Sequence, residues 1–460
     1  MNKLNLLKTR RAELLKAGSD IRKKIAALTD EESFVELDSY SFSKNQFYGE
    51  DAEGEGVITG YAAVNGNQCC IVAQNKNVLR GGVSKANCLK IAKCLKKAEA
   101  FKLPVIYLLD SEGVQAGEGV NVLEGTGEVL SGMTALKGIV PQISVVLGNL
   151  YGSFALIAAN TDFTFMLKDS CVAYGSPLVI SAGSGKNVAK EEVGGVNASA
   201  GNNITTFLVK DVAEVRDTIV KILGILPITS EILTDTSDDL NRAAENLNKK
   251  ADADSVIKAV FDTDSFIETN KFCCPEVKTG LGRTGGIAVA GLVFDGGEKG
   301  VELNLNNVLK IKNFLNFASD NSLPIVTFVN TLGIEQNLET NGTQILKEIG
   351  NLMQVLSSSE RLSVIYGKAI GLGYTLFASK AMGADYSYAF ATAKVALFDG
   401  AASTAYFGEV REDKLEELAE KYSDENADPI NAAKDGYIDN IIEPQFVRSY
   451  VISALQTLIK

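Results

Sequence analysis

The sequence predicts an α/β protein made of two copies of one fold. Three observations carry this. β-rich runs and helical stretches alternate along the chain, one segment recurs at a fixed offset, and a polar, charge-rich stretch lies between the copies. A length of 460 residues suits two or three domains of roughly 150 residues each.

The elements follow in order. Over residues 1–30, Leu4, Leu7, Leu14, Leu15, Ile21, Ile25 and Leu28 recur at helical spacing with Lys and Arg between them, which predicts a helical arm. No apolar run or small-residue cleavage site follows the basic start, so it does not read as a signal peptide. From Gly56, Val57-Ile58-Thr59-Gly60-Tyr61 and Cys69-Cys70-Ile71-Val72-Ala73 are β-rich, and Asn65-Gly66 between them is a type I′ hairpin signal. A helix is predicted over 85–102, a buried strand over 104–109, then the polar turn Asp110-Ser111-Glu112-Gly113. A second strand over 142–148 runs into Gly152 and a helix of small residues reaching Asn160. Gly183, Gly185, Gly194 and Gly195 predict a surface loop.

The repeat has an offset of 220. Leu89-Lys90-Ile91 returns as Leu309-Lys310-Ile311, Leu103-Pro104 as Leu323-Pro324, and Gly113 as Gly333. Residues 86–113 and 306–333 share nine identities in 28 positions, where chance at ordinary composition gives about two. An offset this long marks a duplicated domain, since solenoid repeats run about 20 to 50 residues. The division expected is an arm over 1–30, a first domain over 31–226, a connecting segment over 227–262 and a second domain over 263–460.

Composition excludes several chemistries. The chain has no histidine, hence no Ser-His-Asp triad, no Cys-His pair and no imidazole base or metal ligand. A net charge of −12 argues against nucleic-acid binding, which depends on basic groups neutralising phosphates. Seven cysteines without a Cys-x-x-Cys fit neither a zinc site nor a disulfide framework, and suit a reducing cytoplasm. No run of 18 apolar residues is present to span a membrane.

What remains is main chain. In each copy a buried strand ends at a glycine and a helix of small residues begins: Gly148 to Ala155 in the first, Gly367 to Tyr374 in the second. Backbone N–H groups at a helix start form an oxyanion hole without any ionisable side chain. Gly113 and Gly333 are positioned in the preceding turns to add a second N–H to each. The stretch Arg80-Gly81-Gly82-Val83-Ser84-Lys85 precedes a helix and is a candidate holder of a phosphate or pantetheine arm, with Arg80 or Lys85 as counter-charge.

These residues closely resemble the carboxyltransferase family of biotin-dependent acyl-CoA carboxylases and decarboxylases. The segments that carry the resemblance include Gly56-Val57-Ile58-Thr59-Gly60-Tyr61, Asp110-Ser111 with Glu118-Gly119-Val120, Pro141-Gln142-Ile143-Ser144-Val145, and Glu191-Glu192-Val193-Gly194-Gly195. Gly282-Arg283-Thr284-Gly285-Gly286 and the run from Ala432 to Pro444 match in the second copy. The resemblance implies a tandem crotonase-like fold. It implies that the first copy binds the acyl-CoA and the second the carboxybiotin, with the site completed between subunits. It implies Gly152 and Ser153 at the thioester hole and Leu372 and Gly373 at the biotin hole. Arg80, Gly81, Gly82, Ser111, Gly371 and Tyr374 are implied as cofactor contacts. It implies no bound metal, biotin on a separate carrier protein, and a coenzyme A thioester as substrate. A homodimer or trimer of dimers is implied, with a biotin carboxylase or a membrane sodium-pump decarboxylase subunit as partner. The location implied is the cytoplasm, free or attached to the membrane through that partner.

Departures are specific. Ser153 stands where the family has a second glycine, and Glu112-Gly113-Val114-Gln115 where it has Gly-Gly-Ala-Arg. Asn330-Thr331-Leu332-Gly333 lacks the family's proline, and Thr375 stands where an acid often sits. Two other readings stay open: a biotin-independent crotonase-type decarboxylase or thioesterase, and a non-catalytic scaffold.

Overall fold

Asn65 and Gly66 take φ values of +49° and +79°, the left-handed pair that a type I′ turn requires. The structure that shows this is a computed structural model, which describes residues 2–41, 53–335, 343–399 and 414–459. The chain divides into two units, Met1–Leu223 and Gly224–Lys460.

In the first unit the strands are β1 (Val35–Leu37), β2 (Val57–Val64), β3 (Asn67–Gln74), β4 (Val105–Ser111), β5 (Gln142–Tyr151), β6 (Phe163–Leu167), β7 (Cys171–Ala173) and β8 (Phe207–Val209). Among the described residues they form one sheet in the order β1-β2-β3-β4-β5-β6-β8, with β7 against the end of β5. The pairs β1–β2 and β2–β3 at one side are antiparallel and the remaining pairs are parallel. Helices Lys85–Phe101 and Val120–Leu136 cross between parallel strands, as parallel pairing demands. They pack closely because Gly125 and Gly132 leave room for Cys88 and Leu95. Ile91, Leu95, Tyr107, Leu109, Val129 and Leu136 make the core beneath them.

The second unit has β9 (Ile267–Thr269), β10 (Val277–Thr284), β11 (Ile287–Phe294), β12 (Val301–Leu303), β13 (Ile325–Ile334), β14 (Arg361–Ile370), β15 (Tyr386–Phe390), β16 (Lys394–Ala396) and β17 (Asn440–Ile442). The order β9-β10-β11-β13-β14-β15-β17, with β16 on the end of β14, repeats the first sheet, and β12 adds one short strand against β13. Residues 253–261, read from sequence as part of a connecting segment, belong to this unit's core through Val256, Val260 and Phe261.

The duplication reaches single hydrogen bonds. Asp30 accepts the amides of Asn65 and Gly66 at 2.9 and 2.8 Å, and Arg216 at 2.7 Å. Asp262 accepts those of Gly285 and Gly286, both at 2.8 Å, and Arg448 at 2.7 Å. Each acid clamps its hairpin turn to a distant arginine.

Two expectations change. Helix Ser19–Leu28 of the arm buries Ile21, Ile25 and Leu28 in the first unit, whereas Lys3–Ala17 buries nothing. The expected surface loop shrinks to residues 185–189, and the other glycines of 183–195 lie in or between short helices, Pro177–Ser184, Lys190–Gly194 and Val196–Gly201. Gly194 is required by packing: a Cβ there would lie 2.0 Å from the Val172 carbonyl oxygen.

Candidate active site

At the end of β5 the chain turns through Gly152, whose φ of +80° favours glycine. The first helical turn, Gly152–Phe154, follows directly. The corresponding end of β14 turns through Gly371, with φ +52°, into helix Leu372–Phe377. Both junctions are fixed in the same way. The Gly152 amide donates to the Tyr174 carbonyl at 3.0 Å and the Gly371 amide to the Ala396 carbonyl at 3.0 Å. The facing turns repeat too: the Gly113 amide donates to Ser111 Oγ at 3.2 Å and the Gly333 amide to Thr331 Oγ1 at 3.0 Å.

These bonds correct the sequence reading of which amides are available. Gly113, Gly152, Gly333 and Gly371 spend their own N–H groups holding the turns. The amides that open the helices are those of Ser153 in the first unit and of Leu372 and Gly373 in the second, since first-turn N–H groups have no helical acceptor. Sequence reasoning missed Val114. Its neighbours Gly113 and Gln115 both bond, Gln115 through its amide to the Val83 carbonyl at 2.8 Å. The Val114 amide has no acceptor among the described residues and lies 3.9 Å from the position a Cβ would take on Gly152. No side-chain signal marks it, because an amide without an acceptor is a property of the backbone. In the second unit, the space beside Gly333 is 3.4 Å from the Gly373 nitrogen and 3.7 Å from that of Leu372.

Side chains around the first junction are tied down. Ser153 Oγ lies 3.3 Å from Thr126 Oγ1 on helix Val120–Leu136. Lys76 pairs with Asp110 at 3.1 Å, and Glu112 accepts from Asn149 Nδ2 at 3.0 Å. Burial pushes the Asp110 carboxyl above its ordinary range while Lys76 pulls it back. Tyr374, beside the second junction, reaches the Tyr437 carbonyl at 3.4 Å, and burial raises its hydroxyl pKa.

The glycine-rich stretch is adjacent to the first junction, and its glycine amides are already bonded. The Gly81 and Gly82 amides donate to the carbonyls of Val78 and Leu79 at 3.0 and 2.9 Å. Their lack of side chains serves close packing: a Cβ on Gly81 would lie 2.0 Å from the Asp110 carbonyl oxygen, and one on Gly82 2.1 Å from Gln115 Nε2. The start of helix Lys85–Phe101 already carries an acid, since the Lys85 amide donates to Glu118 at 2.7 Å and Ser84 to Glu55 at 2.9 Å. A second anion there meets two carboxylates. Arg80 remains exposed at the rim, with its carbonyl accepting from the Glu112 amide at 3.3 Å.

Residues 15–460 match the Carboxyl transferase domain family. The chain belongs to that family. Among its relatives, the methylmalonyl-CoA decarboxylase subunit alpha of Veillonella parvula is 30% identical over 455 residues, covering 95% of this chain and 89% of the relative. The propionyl-CoA carboxylase carboxyltransferase subunit of Haloferax mediterranei is 29% identical, covering 99% and 96%. The solved hexameric transcarboxylase 12S with methylmalonyl-coenzyme A superposes with a TM-score of 0.92 over 99% of this chain and 95% of that one, at 23% identity. That likeness fixes the fold of the family member as crotonase-like in both units. Among the described residues, no helix is long and apolar enough to cross a membrane.

Proposed function

We propose that this chain is the carboxyltransferase subunit that moves a carboxyl group between an acyl-CoA and biotin. The acyl-CoA is of the propionyl-CoA and methylmalonyl-CoA class, and the biotin is borne by a separate carrier protein. The observation that carries the reading is the repeated junction: two helix starts, each with its glycine amide locked to a carbonyl and the next amides left over. Relatives named for the same chemistry on both sides of the carboxylation equilibrium support it.

The first unit's residues act on the thioester. Breaking the bond from the α-carbon to its proton, or to a departing carboxyl group, leaves an electron pair that delocalises onto the thioester oxygen. The Val114 and Ser153 amides donate to that oxygen and strengthen as its charge grows, which lowers the barrier rather than merely binding substrate. No titrating side chain is required, in keeping with a chain that has no histidine.

Biotin, when bound, supplies a ureido nitrogen that can carry the carboxyl group. A neutral urea oxygen needs N–H donors and no counter-charge, which is the chemistry that Leu372 and Gly373 offer. Gly371, held by Ala396, and Tyr374 flank them.

Association into dimers or larger oligomers suits the surfaces beside both junctions. Helix Pro177–Ser184 buries no residue and shows Leu178 at 80% exposure, while Leu372 and Leu397 are exposed in the second unit. A biotin carrier and either a biotin carboxylase or a membrane-embedded decarboxylase partner complete the proposal, which places the chain in the cytoplasm.

The test is transfer from methylmalonyl-CoA or malonyl-CoA to free biotin or biocytin by the purified full chain. Biotin-dependent formation of the decarboxylated acyl-CoA is expected. Equal turnover without biotin favours the biotin-independent reading, and no turnover with CoA binding intact favours a scaffold.

A further inference from the structure

Cys273 and Cys274 are adjacent in sequence, and their Sγ atoms lie 3.4 Å apart in the segment joining β9 to β10. The chemistry above uses neither. Cys273 is buried and Cys274 half-buried, while Lys271, Phe272 and Pro275 around them are exposed. A small reagent therefore reaches the pair from the Cys274 side.

The backbone puts both thiols on one side. In extended chain, successive side chains point to opposite faces. Cys274 breaks that rule with a φ of +48°, in the left-handed region that few non-glycine residues adopt. The buried Lys310 holds the segment in this form: its Nζ donates to the carbonyls of Asn270, Cys273 and Cys274 at 3.0, 2.7 and 3.3 Å. The first unit supplies a contrast. Cys69 and Cys70 are also adjacent, but they sit within β3, where neighbours alternate. Lys90, the counterpart of Lys310, donates to the Val57 carbonyl in β2 instead.

We propose that Cys273 and Cys274 form a chelating dithiol site for a trivalent thiophilic centre of the arsenical class. Two sulfur bonds of about 2.3 Å, the length thiolates make to zinc, meeting near a right angle, span about 3.3 Å. The separation of 3.4 Å matches this with almost no movement. Closure to a disulfide fits less well. It brings the sulfurs to about 2.05 Å and normally joins Cα atoms about 4.4–6.8 Å apart, whereas neighbouring Cα atoms are about 3.8 Å apart. The pair is therefore spaced for a bridging atom rather than for oxidation, and soft thiolate ligands select soft centres.

With an organic arsenic(III) oxide the step balances without redox change. Two S–H bonds break, two As–S bonds form, and the oxide oxygen leaves as water with both protons. Arsenic stays trivalent.

Phenylarsine oxide added to the reduced full chain tests this. After tryptic digestion, mass spectrometry is expected to find one phenylarsenic unit on the peptide Phe272–Lys278, which holds both thiols. The adduct should survive excess 2-mercaptoethanol and be stripped by 2,3-dimercaptopropanol. Cys274→Ser should weaken retention about a hundredfold, because one sulfur then lacks its tethered partner. The wild-type peptide map needs no variant to fold. An adduct on other cysteines, one removed equally by the monothiol, or none at all overturns the proposal.

Discussion

The Ser153 hydroxyl lies 3.3 Å from the Thr126 hydroxyl, so the one side chain added at the first junction is engaged with helix Val120–Leu136. The departure from a glycine pair thus alters the side-chain packing and spares the donor.

Substitutions at position 153 separate these parts. Ser153→Gly should keep transfer within a few-fold. Ser153→Pro removes the N–H at a helix start, where proline fits the backbone, and should lower kcat on the order of a hundredfold with little change in Tm. Steady-state kinetics beside thermal melts decide this. Equal activity of the two variants would sink the assignment of the Ser153 amide.

Gly81→Ala should fail structurally rather than chemically. The new Cβ meets the Asp110 carbonyl oxygen at 2.0 Å and the residue sits at φ +64°. A loss of at least about 3 kcal/mol is expected, read by urea unfolding. A near-normal midpoint would show that the stretch is not pressed against the Asp110 turn.

Asp30 gives a pH signature. The Gly66 amide is the main cause that holds its carboxyl below the ordinary value of 3.8, against the opposing pull of burial. A depressed acid stabilises above its unfolded pKa, and that stability is lost as pH falls through the folded value. Asp30→Asn should lower Tm at neutral pH, and the gap to wild type should close below pH 3.8. A gap that persists in acid contradicts the clamp.

Lys90 gives a slope of the same sign in alkali, by a different cause. Burial brings its pKa from 10.5 down to about 8. Between those values the unfolded chain holds a proton that the folded chain has released, so this group makes stability rise with pH. Lys90→Met should flatten the Tm-against-pH slope across that window. Identical slopes would refute it.

Much of this was legible in the sequence, for reasons that are local. Asn65-Gly66 announces its turn because few dipeptides accept two positive φ values, and the 220-residue offset exposes the duplication without any structure. The junctions at Gly152 and Gly371 were legible as strand-to-helix turns. Which amide is available was not, since Tyr174 and Ala396 approach from other segments, and the hydroxyls of Ser111 and Thr331 fold back onto the amides two residues on. Arg80-Gly81-Gly82 looked like a phosphate loop because composition cannot reveal that Glu118 and Glu55 already occupy the helix start it precedes. The glycines at 183–195 suggested a loop for the same reason: Gly194 answers to the Val172 carbonyl, which pattern alone does not show.

The clamps Asp30–Arg216 and Asp262–Arg448 each span 186 positions. During synthesis, therefore, neither hairpin can be latched until almost its entire unit has left the ribosome. A nascent chain paused midway carries an unlatched opening hairpin, so each half is expected to lock late and in one step, first the leading half and then its sibling.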